Sequence, residues 1–195
     1  MFCRPYRTHV AGTVVGKNYG VAECTGPTNE GGNGCELCSV KVLNSGGSGY
    51  LSWIIAGIDH VATDCGNQSG GPFTKKCVAN MSLGATGVHQ SFIDSVNNAV
   101  TSYGVVMAVA AGNDNDDACG YSPAAAEYAI TVGSTDEPFV SNPNDVRSSF
   151  SNYGSCVNVW APGSGIESAS SSSDSASTFL SGTSMASPRK FFCCC

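Results

Sequence analysis

The chain has 195 residues and a formal net charge of −6; 42% of the residues are hydrophobic and only 12% are charged. That is one domain's worth of sequence, long enough to bury a core and too apolar to read as disordered. Nine Lys and Arg leave no basic surface for nucleic acid, and no apolar run approaches the ~20 residues that cross a bilayer as a helix.

In chain order, residues 9–21 are small and Gly-rich and predict a helix start followed by a turn. Residues 23–36 carry Pro27 and a run of Gly and Asn, the chemistry of a surface loop. The stretch SVKVL (39–43) is rich in valine and predicts a short buried strand. Trp53, Ile54, Ile58, Val61 and Ala62 recur at helical spacing, so an amphipathic helix follows. Residues 63–76 read as a polar loop between Cys65 and Cys77, and 78–83 as a strand stopping at Gly84. Phe92, Val96, Val100 and Tyr103 give a second helix with one apolar face. Residues 105–111 are apolar on both faces, as a central parallel strand requires. Two more short strands are predicted at 129–133 and 157–160. Residues 168–177, nearly all Ser and Ala, read as a solvated loop or an O-glycosylated patch. Strands alternating with helices predict an α/β fold, a parallel sheet with helices on its faces.

Eleven cysteines at this length point to an oxidising compartment. Cys35 and Cys38 form a CxxC, but no second pair stands at zinc-site spacing, so disulfides are favoured over metal. The first residues, MFCRPYRTHVAG, lack the apolar core of a secretory signal.

Four stretches fall where open α/β sheets place their sites. They are THVAGTVVG (8–16), MSLG (81–84), AVAAGN (108–113) and SGTSMASP (181–188). Singly, each has a plain explanation: a Ser or Thr capping a helix, or a strand running into a turn. Ser184 nevertheless sits among small residues at the mouth of a predicted helix, close to backbone N–H donors. Their dipole favours the negative charge that develops when a hydroxyl attacks a carbonyl. A free hydroxyl is a poor nucleophile near neutral pH, so such a serine needs a base. Asn113, at a strand end, offers an amide N–H to the same oxyanion.

Taken in this order, and with YGVA (19–22), VKVL (40–43), GSG (47–49), YSPA (121–124), SSFSNYG (148–154) and APG (161–163), the chain resembles the subtilisin-like serine proteases. The likeness is strongest to their proteinase K branch and runs from about residue 9 to residue 188. It implies a subtilisin-like three-layer α/β/α fold, incomplete at both ends. It implies a secreted, monomeric endopeptidase acting on protein or peptide substrates, with no cofactor for catalysis and no nucleic-acid or membrane partner. By the same resemblance Ser184 is the nucleophile and Asn113 the oxyanion side chain. Gly47, Ser48 and Gly49, with Ser82, Leu83 and Gly84, match the two edges between which a substrate backbone lies as an added strand.

The departures fall inside the two most recognisable motifs. Where the family has His-Gly-Thr-His-Val-Ala-Gly, this chain reads Tyr6-Arg7-Thr8-His9-Val10-Ala11-Gly12. Tyr6 stands where the catalytic histidine should be, and His9 matches the second, structural histidine. A phenol with a pKa of ~10 is a poor general base at neutral pH. The family's catalytic aspartate would lie upstream of Met1, and after Pro188 the text turns to RKFFCCC instead of a histidine and a long helix. The expectation is a partial peptidase domain at 8–188 between non-native segments at 1–7 and 189–195, inactive as written. The alternative is a non-catalytic, peptide-binding pseudoprotease.

The resemblance also implies a Cys119–Cys156 disulfide. Cys65 with Cys77, and Cys24 with Cys35, would close the two loops inserted relative to the family, and Cys38 reads as a buried free thiol. In relatives structural calcium is held by an aspartate at the position of Asn158 and by backbone carbonyls near Glu127 and Ala129; asparagine brings an oxygen there without the charge, for which Glu127 could compensate.

Overall fold

The computed structural model describes residues 6–16, 37–66, 77–136 and 146–189. Helix α1 (Tyr6–Val15) comes first, then α2 (Leu51–Cys65), strand β1 (Val78–Met81), the short β2 (Ala85–Thr86), α3 (Gln90–Thr101) and β3 (Val106–Ala110). A 3-10 turn at Ala118–Gly120 leads into β4 (Tyr121–Ser122). There follow β5 (Ile130–Asp136), β6 (Val146–Arg147), β7 (Val159–Pro162), β8 (Ile166–Ala169), β9 (Ser177–Leu180) and α4 (Thr183–Arg189).

Strands β1, β3, β5 and β7 pair in that order, all parallel, and β6 joins the end of β5 antiparallel. The fold is α/β, a mostly parallel sheet flanked by helices. β3 reads VMAVA with its last four residues buried, because a parallel sheet is covered on both faces. Side chains alternate across it. Met107 and Val109 face α2 and α3, packing with Ile54, Ile58, Phe92 and Val96. Full burial of each such side chain contributes roughly 1.5–3 kcal/mol. On the opposite face α4 lies against the sheet, with Ala186 packed on Val132 and Ala161. α1 rests on α4 and β8 through Val10, Ile166 and Met185.

Several elements differ from the sequence reading. Among the described residues SVKVL forms no strand: Val42 is buried, but the stretch has no ladder partner and bends at Leu43. Trp53 is 48% exposed, because it lies one residue, hence about 100° of helix, off the Ile54–Ile58–Ala62 face; it stacks edge-on with Tyr50 at 4.8 Å. Tyr103 lies beyond the end of α3 and β5 extends to Asp136. The Ser-rich stretch is the largest surprise. Its two ends are strands: β8 and β9 pair antiparallel from Ile166↔Leu180 to Ala169↔Ser177, leaving only 170–176 as the connecting loop. Alternation was hidden there because the inward residue Ser168 is polar; it is fully buried, and its hydroxyl bonds the His9 carbonyl.

Cys65 is joined to Cys77 and Cys119 to Cys156, with Cα separations of 5.9 and 5.3 Å. Cys38 is a free thiol, and it is exposed rather than buried: it precedes Val40 and Val42, which take the inward positions. The pair Cys24 and Cys35 lies outside the described residues.

Candidate active site

Parallel pairing of β1 with β3, Met81 opposite Val109, brings the residues that follow both strands to one edge of the sheet. Ser82, Leu83 and Gly84 leave β1 there, and Gly112 and Asn113 follow β3. α4 begins at the same edge, so that Leu83, Gly84, Gly112, Asn113, Thr183 and Ser184 line one cavity. Ligand sites of open α/β sheets lie in this position, beyond the C-terminal ends of the strands.

Asn113 is oriented by its neighbour across the cavity. Its Oδ1 accepts the Thr183 N–H at 2.8 Å and the Thr183 hydroxyl at 2.9 Å. A backbone N–H can only donate, so the amide oxygen must face Thr183 and Nδ2 must point the other way. Among the described residues nothing accepts from that Nδ2. The Thr183 hydroxyl also accepts the Gly112 N–H at 3.2 Å. Gly112 has φ +108°, and a Cβ there would lie 2.2 Å from the Asn152 amide nitrogen, so no other residue fits.

Ser184, the second residue of α4, is half-buried and its hydroxyl donates to the Ser82 carbonyl at 3.3 Å. Ser82 returns the contact, its hydroxyl donating to the Ser184 carbonyl at 2.8 Å. Behind it, Asn80 Nδ2 donates to Ser82 Oγ at 2.9 Å, and the Ser187 hydroxyl donates to Asn80 Oδ1 at 2.6 Å. The first turn of α4 is thereby fastened to β1. N–H groups in a first turn have no intrahelical acceptor, so the Ser184 N–H and Asn113 Nδ2 are two donors bordering the cavity beside a hydroxyl. Two such donors can receive the charge of a tetrahedral oxyanion.

Among the described residues no imidazole reaches the Ser184 hydroxyl. His9 is fully buried in α1 with Nε2 2.8 Å from the Ile166 carbonyl. A carbonyl only accepts, so Nε2 carries the proton and Nδ1, which has no hydrogen-bond partner, keeps its lone pair. Burial holds the His9 pKa below its ordinary 6.5, outweighing the opposing backbone contacts to Ile166 and Thr178. His9 therefore docks α1 onto β8. Tyr6 opens α1 one turn earlier, and its side chain lies outside the described residues.

The remaining predicted positions lie elsewhere. Gly47, Ser48 and Gly49 do not line the cavity; they form an exposed turn ahead of α2. Ser48 uses both backbone groups inside that turn, its carbonyl accepting Asn44 N–H at 2.8 Å and its N–H bonding Asn44 Oδ1 at 3.2 Å. Asn158 Oδ1 accepts the Thr131 N–H at 2.7 Å, Glu127 is exposed and Ala129 is buried. An uncharged oxygen already accepting an N–H is a weak calcium ligand, and no three His, Cys, Asp or Glu side chains gather for a metal among the described residues. Sequence reasoning offered Thr183 only as a helix cap and did not single out Asn80, Ser187 or Asn152. Thr183 and Ser187 sit inside GTSMASP and Asn152 inside SSFSNYG, so the motifs held them, but only the hydrogen bonds show what they do.

Residues 8–189 match the subtilase family of peptidases. The chain belongs to the subtilase family. It is 45% identical over 186 residues to the extracellular serine proteinase of Thermus sp. strain Rt41A, covering 95% of this chain and 39% of that protein. It is 44% identical over 190 residues to the subtilisin-like proteinase Spm1 of Pyricularia oryzae, covering 93% of this chain and 32% of the relative. Among solved structures, a cold-adapted subtilisin-like serine proteinase superposes with a TM-score of 0.77 at 41% identity, over 95% of this chain and 58% of that one. This subtilase chain thus spans well under half the length of those two relatives.

Proposed function

We propose that this chain carries the nucleophile and oxyanion half of a secreted serine endopeptidase. The observation that carries the reading is the pinned amide of Asn113, its Nδ2 left without an acceptor at the cavity that also holds the Ser184 hydroxyl. In this reading Ser184 Oγ attacks the scissile carbonyl of a protein or peptide, the C–N bond breaks, the amine leaves with the hydroxyl's proton, and an acyl-enzyme ester remains. Asn113 Nδ2 and the Ser184 N–H stabilise the oxyanion, and a water then hydrolyses the ester. Leu83 and Gly84 offer one backbone edge to an extended substrate, and Gly49, whose backbone groups have no partner among the described residues, offers the other. Two disulfides and the likeness to the extracellular proteinase of Thermus support an extracellular setting, and no helix of the described residues is long and apolar enough to cross a membrane. We take the active species to be a monomer with no nucleic-acid partner.

Tyr6 favours a second reading. With a phenol in place of an imidazole, the chain keeps the oxyanion donors and loses the base, leaving roughly 10³–10⁴ over water, a figure measured on subtilisin itself. Such a protein binds peptides without cleaving them at a useful rate. A fluorophosphonate probe applied to the full-length protein separates the two. Adduct on Ser184, abolished by Ser184→Ala, is the expected result for the peptidase. A folded, peptide-binding protein that takes up no probe assigns it to the second class.

A further inference from the structure

The loop that carries Asn113 makes few bonds through Asn113's own backbone, yet it is held on both sides by one side chain from a distant turn. Asn152 is fully buried. Its Nδ2 donates to the Ala111 carbonyl at 3.0 Å, and its own N–H donates to the Gly112 carbonyl at 3.0 Å. Its Oδ1 accepts the N–H groups of Asp114 at 2.9 Å and Asp116 at 3.2 Å. Two bonds therefore fall before Asn113 and two after it, and none touches Asn113 itself. From this geometry we propose that Asn152 is the positioning residue of the oxyanion donor: it fixes the path of residues 111–116 so that the Asn113 amide reaches Thr183 and presents Nδ2 to the cavity.

The chemistry allows few substitutes. The site requires an acceptor with two lone pairs and an N–H donor on a two-bond stem. Aspartate has no donor for the Ala111 carbonyl, serine supplies one oxygen, and glutamine is a methylene too long for a site where Gly112 already touches the amide. The surrounding turn is braced to match. Arg147 donates to Asn115 Oδ1 at 2.8 Å and to the Ser151 carbonyl at 2.6 Å, and stacks over the Tyr153 ring at 5.0 Å. The Ala118 N–H bonds the Tyr153 carbonyl at 2.8 Å, and Cys119 is tied to Cys156. Loop and turn are thus tied together, and among the described residues the loop brings Gly112 and the Asn113 side chain to the cavity.

The proposal rests on the peptidase reading for its chemistry, but not for its test. The first measurement is the order of the Asn113 side-chain amide by 15N relaxation in the full-length protein and its Asn152→Ser and Asn152→Ala variants. Rigid values near ~0.85 in the parent should fall towards ~0.6 or below in the variants. The second is hydrolysis of an activated ester, with Asn113→Ala and the double variants. Asn152→Ser should lower kcat about tenfold or more with KM nearly unchanged, and by less than about twofold once Asn113 is already alanine, since coupled sites are not additive. An unchanged Asn113 amide order, or a kcat loss of equal size in the Asn113→Ala background, overturns the proposal. A parent with no esterase activity sinks the peptidase reading instead, and the relaxation result still decides the role of Asn152.

Discussion

The two helices in contact on one face of the sheet's C-terminal half, α4 and α1, are held in different ways. α4 is wired along its first five residues: Thr183 to Asn113, Ser184 to Ser82 and Ser187 to Asn80, each through a hydrogen bond that involves a side chain. α1 is held by packing of Val10 on Ile166 and Met185, and by the His9 contact to Ile166. Hydrogen-bond networks fix orientation to fractions of an ångström, whereas apolar packing fixes proximity and tolerates substitution. The oxyanion side of a peptidase needs the first kind of restraint, because a donor displaced by an ångström no longer meets the charge it serves. In the proposed reading it is the α1 side that would carry the base, and α1 opens on Tyr6.

The largest effect should come from restoring the base on the looser side. Tyr6→His in the full-length protein is expected to raise peptide hydrolysis by about 10²–10⁴-fold, the usual contribution of a positioned general base. A rate that stays flat while the probe still labels Ser184 would show that α1 does not supply the base. A smaller effect is expected on the wired side. The Cys119–Cys156 disulfide closes a 37-residue separation between the Asn113 loop and the Asn152 turn. Replacing both cysteines by serine should lower unfolding stability by about 3–4 kcal/mol in the chain-entropy model, read from urea denaturation. A loss near zero would mean the hydrogen bonds of this half suffice without the bridge.

The smallest effect concerns α1 and pH. His9 is neutral in the folded protein and its pKa is depressed, while in the unfolded chain it takes up a proton below about 6.5. The unfolded state then binds more protons, so stability should decline as pH falls through that value and level off below the folded pKa. Denaturation midpoints between about pH 7.5 and 5.5 should show this slope in the parent, and a flatter curve in His9→Gln. Equal slopes in both would remove His9 as the pH-sensitive contact of α1.

Much of this was readable before any coordinates. The apolar five-residue run of β3, the 3.6-residue spacing of α2 and α3, and GTSMASP at a helix start are local signals, written in adjacent or turn-spaced residues. The strand reading of SVKVL failed because a ladder needs a partner that valine content cannot supply. The β8–β9 hairpin was missed for the converse reason: Ser168 faces inward only because the His9 carbonyl waits there for its hydroxyl.

The amino-acid order alone thus determined the α/β class and the subtilase kinship, and it placed the GTSMASP serine and Tyr6 in the motifs on which the proposed function rests, because short-range periodicity and contiguous motifs encode them. Tertiary structure decided the rest: which way the Asn113 amide is turned, that His9 is a docking residue with one unpartnered nitrogen, and that Asn152 brackets a loop 36–41 residues away in sequence. Those facts depend on hydrogen bonds between segments far apart in the chain. Their partners become neighbours only when parallel strands bring their C-terminal ends to one edge.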